Sequence, residues 1–301
     1  MSITRLAQLL EAAARRPKKR LVAAFANDLH TVEGVSDAVE KGLVDATLVG
    51  DESLIRKHCE DLGIAADRFE IVHEPEEARA AAKAVELVRS GHGQFLMKGC
   101  LTTEALLRAI LDKDAGLSVP GAVLTHVSLM ESPRYPKLLV ISDPAVLLHP
   151  DLIQKIAITN YVIETARLLG IEKPKVAILG ITEQVNPKVQ SMVDAAVISK
   201  MTDRGQIKGA FVDGPMALDV AIDPESARAK GVSGPVAGDA DCLVFPNIDS
   251  GNIFYKACTK LGGSEVAGMV VGARVPCVVS SRGDSSLTKL YSIALASLAS
   301  K

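Results

Sequence analysis

Short apolar runs alternate with helix-length amphipathic stretches from one end of this chain to the other. LVAAFA (21–26) precedes TVEGVSDAVEKG, DATLVG (45–50) precedes DESLIRKHCEDLG, and FEIVHE (69–74) precedes PEEARAAAKAVELVRSG. An apolar run of that length reads as a strand buried on both faces, and strands separated by helices pair in parallel. The order continues through QFLMKG, the helix pattern TTEALLRAILD, and the strand-like runs AVLTHVSLM and KLLVISD. The class is α/β with a mainly parallel sheet.

After Pro144 a long helix pattern opens, HPDLIQKIAITNYVIETARLLG, with Asp151 placed to cap its start and Gly170 to end it. The alternation then restarts with KVAILG, a helix over PKVQSMVDAAVISKM, GAFVDGP, CLVFPN, a helix over SGNIFYKACTKLG, GMVVG, PCVVSS and a last helix to Lys301. Single hydrophobic cores stop growing at roughly 250 to 300 residues. The restart in a 301-residue chain therefore predicts a second α/β unit from about residue 148.

Composition removes several function classes. A net charge of −2 with both signs interspersed shows none of the global basic excess of a nucleic-acid binder, while leaving room for a local basic cleft, and no nucleic-acid partner is expected. The first apolar stretch carries charges throughout and no run of about 18 uncharged apolar residues occurs, so neither a secretory leader nor a membrane span is expected. That setting also argues against reading Arg282-Gly283-Asp284 as an adhesion tripeptide. Cys59, Cys100, Cys242, Cys258 and Cys277 are widely spaced without a C-x-x-C pair, which fits buried thiols in a reducing cytoplasm better than a disulfide framework or zinc site. The histidines show no H-E-x-x-H spacing, and no metal site is expected.

In open α/β sheets ligands collect at the carboxyl ends of strands. VVSSRGDSSLTK (278–289) occupies such a place, between the strand PCVVSS and the last helix. Free amides at that helix start favour an anion, and the Arg282 guanidinium is a planar fork suited to phosphate. The alternative is that Ser and Asp merely cap the helix. FPNIDSGNIFYKACTKLGG (245–263) has the same grammar: a strand, an Asp-Ser-Gly turn with Ser250 and Gly251, then a helix carrying Asn252 and Lys256 on one face. FVDGPMALDVAI (211–222) places Asp213 likewise after a strand.

DGPMALDVAI, VAGDADCLVFPNIDSGNIFYKACTKLGG and the Gly-Ala-Arg-x-Pro run leading to SSRGDSS, in this order, resemble the phosphate acetyltransferase and butyryltransferase family. EQVNPKVQSMVDAA (183–196) is similar to the butyryltransferase branch. The resemblance implies reversible transfer of a short acyl group between coenzyme A and inorganic phosphate, with coenzyme A as substrate and no tightly bound cofactor. It also implies an isocitrate/isopropylmalate dehydrogenase-like architecture: residues 1–147 and 268–301 in one α/β domain, 148–267 in the other, the active site in the cleft between them, and a homodimer.

Attack of a coenzyme A thiol on an acyl phosphate needs a base for the thiol proton and donors aimed at the developing oxyanion. By resemblance, Ser281 donates to the transition state and Arg282 binds the phosphoryl group. The family's aspartate, seven residues beyond that serine, is replaced here by Thr288, which leaves Asp284 as the nearest carboxylate for the base or, alternatively, as a helix-start charge. Arg108 in TTEALLR matches a substrate-binding arginine of the family. Lys98, Gly99 and Ser128 stand where cleft residues are expected, and Arg134 is a further candidate. Ser250, Gly251, Asn252, Lys256 and Asp213 complete the candidate substrate-binding set. His92 and His126 read as local hydrogen-bonding residues, and Gly91-His92-Gly93 lacks the dinucleotide fingerprint. An acetyl-CoA preference and a noncatalytic acyl-CoA-sensing domain remain as alternatives. A nicotinamide-dependent dehydrogenase is disfavoured for want of clustered metal-binding aspartates and a Lys/Tyr pair.

Overall fold

The computed structural model describes residues 2–280 and 285–301. In chain order its elements are α1 (Ala7–Ala14), β1 (Lys19–Ala24), α2 (Leu29–Glu40), β2 (Val44–Gly50), α3 (Glu52–Asp61), β3 (Glu70–His73), α4 (Glu77–Arg89), β4 (Phe95–Lys98) and α5 (Thr103–Leu111). There follow β5 (Thr125–Glu131), β6 (Leu139–Ser142), α6 (Leu152–Leu168), β7 (Lys175–Leu179), α7 (Gln190–Asp203), β8 (Phe211–Met216), α8 (Leu218–Ile222), α9 (Pro224–Ala229), β9 (Cys242–Val244) and α10 (Ile248–Lys260). The last elements are β10 (Glu265–Val271), β11 (Cys277–Val278) and α11 (Ser286–Ala299).

The chain divides into two compact units. Ala7–Ala122 with Ala267–Lys301 form the terminal unit, and Met1–Leu6 with Val123–Val266 form the central unit.

In the terminal unit the strand order is β3-β2-β1-β4-β11-β10. The neighbours run parallel except β10 and β11. β4 is buried along its whole length and β1 from Leu21 onward, because helices cover both faces of a parallel sheet. α4 shows how the pattern works: Ala80, Ala81, Ala84, Val85 and Val88 recur at helical spacing and are buried, while Lys83, Glu86 and Arg89 stay outside. From β1 the chain builds β2 and β3 to one side, then returns to place β4 on the other flank of β1. That reversal is a topological switch point.

The central unit has the order β5-β6-β9-β7-β8, with β5 and β6 antiparallel and the rest parallel. It too reverses, because β8 lies on one flank of β7 and the later β9 on the other. α6 begins with the expected cap: the Asp151 carboxylate accepts from the Gln154 amide at 2.8 Å and the Gln154 side chain accepts from the Asp151 amide at 2.9 Å. Gly170 follows its end at φ +85°, as the sequence predicted.

The border between the units differs from the expected one. Residues 123–147 belong with the central unit, because β6 pairs in register with β9 (Val140 with Cys242, Ser142 with Val244) and carries β5 with it. The first residues also join that unit, the Ile3 amide donating to the Leu169 carbonyl and the Leu6 amide to Glu131 Oε2, each at 2.7 Å.

α6 and α7 share a buried ion pair, Lys155 Nζ to Asp194 Oδ2 at 2.7 Å, with side chains 5% and 2% exposed. Gln190 Nε2 donates to the other Asp194 oxygen at 2.8 Å. Removing one partner strands a buried charge, so Asp194→Ala should lower unfolding free energy by about 3 to 5 kcal/mol, whereas an apolar Lys155→Met, Asp194→Leu pair should restore most of it. Urea unfolding of the three proteins checks this; a loss below about 1 kcal/mol in Asp194→Ala would contradict it.

Candidate active site

Each switch point opens into a cavity. In the terminal unit it measures about 230 Å³ and is lined by Asp28, Thr31, Lys98, Cys100, Ser280 and Lys289, together with His30 and Gly99. The turns after β1 and β4 are tied to each other: the Gly99 amide donates to the Ala24 carbonyl at 2.9 Å and the Cys100 amide to the Phe25 carbonyl at 3.0 Å. A Cβ on Gly99 would lie 2.3 Å from that Phe25 oxygen, so only glycine permits the approach. Phe25 itself holds φ +58°, a conformation that bulky residues rarely adopt.

These ties fix the polar lining. Lys98 is 6% exposed, and its ammonium donates to the carbonyls of Gly99 at 3.2 Å and Leu101 at 2.9 Å. Asp28 caps α2, its carboxylate accepting from the Thr31 amide at 3.0 Å and from the Thr31 hydroxyl. Burial pushes the Cys100 thiol above its ordinary pKa, and the Asp28 carboxylate adds to the effect, so this thiol is a neutral donor near pH 7. Lys289 enters from the first turns of α11, which Ser285 caps by accepting from the Thr288 amide at 3.0 Å. Ammonium, hydroxyl and thiol donors around one carboxylate already engaged as a helix cap suit an anion.

Ser281, Arg282 and Asp284, which follow Ser280 directly in sequence, lie outside the described residues. Of the serines expected at this helix start, Ser285 is the cap. Lys98 and Gly99, candidates from the sequence, both line the cavity. Arg108 projects from α5 with its side chain 78% exposed, paired with Glu104 at 2.7 Å one turn away, and is not among the lining residues.

The central unit's cavity, about 240 Å³, lies at the carboxyl ends of β7 and β9 and is walled by Leu179, Ile181, Met192, Phe245 and Phe254, with Ser250 at its edge. It can accept an apolar group. Here the structure revises the expected grammar. α10 begins at Ile248 with Asn247 as its cap, so Asp249-Ser250-Gly251 is the first turn of the helix rather than a loop. The Asn247 side chain accepts from the Ser250 amide at 3.0 Å, the strongest kind of N-cap contact displacing the expected turn. Gly251 lets the helix press on the next segment, since a Cβ there would meet the Asp143 carbonyl oxygen at 2.4 Å. Asn252 Nδ2 donates to the Pro144 carbonyl at 2.9 Å, and Lys256, a turn on, is exposed.

Asp213 lies within β8, not after it, and its carboxylate accepts from the Gly214 amide at 2.8 Å. Ser128 is fully buried on β5, its hydroxyl 3.1 Å from His126 Nδ1. Arg134 is exposed in the bend after β5. Among the described residues no group of three His, Cys, Asp or Glu side chains could hold a metal ion.

Sequence reading missed Asp28, Cys100, Ser280 and Lys289. The signal for Lys289 was present: it is the sole charge in the helix pattern SLTKLYSIALASLA, whose residues from Thr288 to Leu298 are all buried.

The comparisons with known proteins agree with this geometry. The family model described as phosphate acetyl/butaryl transferase matches residues 72–297. A phosphate butyryltransferase of Clostridium acetobutylicum is 45% identical over 280 residues, 93% of each chain. A phosphate acetyltransferase of Thermotoga maritima is 43% identical over 97% of this chain and 99% of its own. The crystal structure of a branched-chain phosphotransacylase from Enterococcus faecalis superposes with a TM-score of 0.82 at 32% identity, covering 94% of this chain and all of the other. An α/β chain with a mainly parallel sheet in each unit and a donor-lined cavity at a sheet switch point, matched over three quarters of its length by one family model, belongs to the phosphate acetyl/butyryltransferase family.

Proposed function

We propose that the chain catalyses reversible transfer of a short acyl group between coenzyme A and inorganic phosphate. Toward acyl phosphate, a phosphate oxygen attacks the thioester carbonyl, the C–O bond forms, and the tetrahedral oxyanion collapses with cleavage of the C–S bond. The thiolate leaves and takes a proton. In reverse, a base removes the thiol proton before sulfur attacks the acyl phosphate. The observation that carries this reading is the donor-lined cavity of the terminal unit, whose wall at Ser280 continues in sequence into Ser281 and Arg282.

By family likeness Ser281 donates to the oxyanion and Arg282 holds the phosphoryl group; Asp284, the nearest carboxylate now that Thr288 stands at the family's aspartate position, takes the proton. The transfer calls on no bound cofactor, since substrate, nucleophile and base supply every bond and proton. A butanoyl or similar short chain is the proposed substrate, with acetyl close behind it, since the butyryltransferase and acetyltransferase relatives are 45% and 43% identical. We further propose a cytoplasmic homodimer. Five free thiols suit a reducing compartment, and among the described residues no helix is long and apolar enough to cross a membrane.

The purified chain, given phosphate and butanoyl-CoA without metal or nucleotide, should release coenzyme A and form a hydroxylamine-trappable acyl phosphate; acetyl-, propanoyl- and branched acyl-CoA rank the selectivity. A chain that binds acyl-CoA and releases none is a sensor, not an enzyme. Arg282→Ala should raise the KM for phosphate and lower kcat, because losing a charged donor to an anion weakens binding by about 1.5 to 3 kcal/mol. Unchanged phosphate kinetics would remove Arg282 from the site.

Asp284→Asn should lower kcat by roughly 10² to 10⁴-fold and abolish the acidic limb of the rate profile in the direction of coenzyme A attack, since a base works only when deprotonated. A normal acidic limb in that variant would move the role elsewhere. Light scattering should give twice the chain mass of 31.8 kDa; a fully active monomer would overturn the dimer.

A further inference from the structure

The cavity between β1 and β4 holds a charge that the described residues leave unbalanced. Lys289 is 8% exposed and lines the cavity, and its ammonium has no hydrogen-bond or ion-pair partner among the described residues. Its stem packs beside Gly34 of α2, where Lys289 Cβ and Cδ lie 3.6 Å from the place a Cβ would take. Helical side chains lean toward the helix N-terminus, which carries this one toward Ser285 and the strand ends. The Lys98 ammonium adds a second positive charge to the same lining. Asp28 is the one carboxylate there among the described residues, and both its oxygens already accept from Thr31.

An ammonium buried without a partner opposes folding, so a fold that keeps one as the sole charge of a largely buried helix has a use for that charge. The use must be an anion small enough for the space. At about 230 Å³ the cavity is several times the roughly 30 Å³ share of a water molecule, which leaves room for a hydrated tetrahedral oxyanion. We infer that the cavity is a phosphate-type oxyanion site in which Lys289 is the charged donor and Lys98 sets the surrounding positive potential. This rests on the acyl-transfer reading only for the identity of the anion: the phosphate that is acylated, or a phosphate group of coenzyme A.

The test compares wild type with Lys289→Met and Lys289→Arg by calorimetric titration with inorganic phosphate, with coenzyme A and with dephospho-coenzyme A. Lys289→Met should bind the oxyanion about 10- to 100-fold more weakly, and Lys289→Arg should stay within a few-fold of wild type. Phosphate should raise the Tm of wild type and of Lys289→Arg but not of Lys289→Met, whose Tm without phosphate should exceed that of wild type because a buried charge with no partner among the described residues is gone. A merely structural lysine would give neither pattern. Lys289→Gln, also uncharged, carries the comparison should the methionine variant not fold.

A loss confined to coenzyme A and absent for dephospho-coenzyme A keeps the oxyanion site and assigns it to the 3′-phosphate. A loss for inorganic phosphate, with a raised phosphate KM and a nearly unchanged acyl-CoA KM, assigns it to the acyl acceptor. Unchanged affinity for all three ligands in an active, folded Lys289→Met chain overturns the site and leaves the acyl-transfer reading standing. Lys289-dependent phosphate binding in a wild-type chain that forms no acyl phosphate removes that reading and keeps the site.

Discussion

The reversal of strand order beside β1 is the constraint on which the terminal unit's chemistry depends. β1 has β2 on one flank and β4 on the other, so the connections leaving its carboxyl end and that of β4 diverge and leave a crevice. Both faces of the sheet are packed, which leaves the strand ends as the place where polar groups can meet solvent without disrupting a core. The crevice is held open by the two amides of Gly99 and Cys100, which bond to the carbonyls of Ala24 and Phe25. The left-handed backbone of Phe25 and the missing side chain of Gly99 both serve that contact. Lys98, Cys100 and Asp28 are thereby set around one space by short segments of backbone rather than by a mobile loop.

The lining has a consistent electrostatic sense. Both Asp28 oxygens are engaged by Thr31 at the helix start, and burial keeps the Cys100 thiol protonated, so the thiol adds no negative charge to the lining. The ammonium of Lys98 is held by carbonyls, and that of Lys289 is the sole charge of a helix buried from Thr288 to Leu298. Such an arrangement sacrifices stability for a positive potential at a fixed point, the exchange expected of a binding site. The central unit shows the complementary case: its own switch point, between β7 and β9, is walled by Leu179, Met192, Phe245 and Phe254. One sheet rule has produced a polar cavity and an apolar one, and the side chains at the strand ends decide which.

Much of this was legible in the sequence because it follows from periodicity. The strand and helix alternation, the cap at Asp151, the stop at Gly170 and the strand-end position of Lys98 and Gly99 are local properties. What escaped was set by tertiary contacts. Residues 123–147 join the central unit because β6 finds β9 a hundred residues away, a pairing that no local pattern encodes. Asn247 takes the cap of α10 from the Asp-Ser-Gly segment because its side chain, two residues before that segment, reaches the Ser250 amide, shifting the helix start within its ordinary uncertainty. Asp213 reads as a turn residue beside Gly214-Pro215, yet β8 continues through both to Met216. Lys289 was passed over as one charge in an apolar helix, although burial is what gives that charge its significance. Ser281 and Arg282 rest on family likeness and Asp284 on its nearness to them in sequence, all three outside the described residues.

Phosphate bound in the switch-point cavity of the terminal unit would shield Cys100, so the reactivity of this thiol reports on the proposed site. This thiol lines the cavity and is half-buried, whereas Cys258 is half-buried in the central unit and lines neither cavity. Alkylation rates of the two should be followed by peptide mass spectrometry at about pH 8.5, where a thiolate fraction makes both measurable. A phosphate concentration that saturates turnover should slow modification of Cys100 several-fold and leave Cys258 unchanged. Equal rates at Cys100 with and without phosphate would contradict the account.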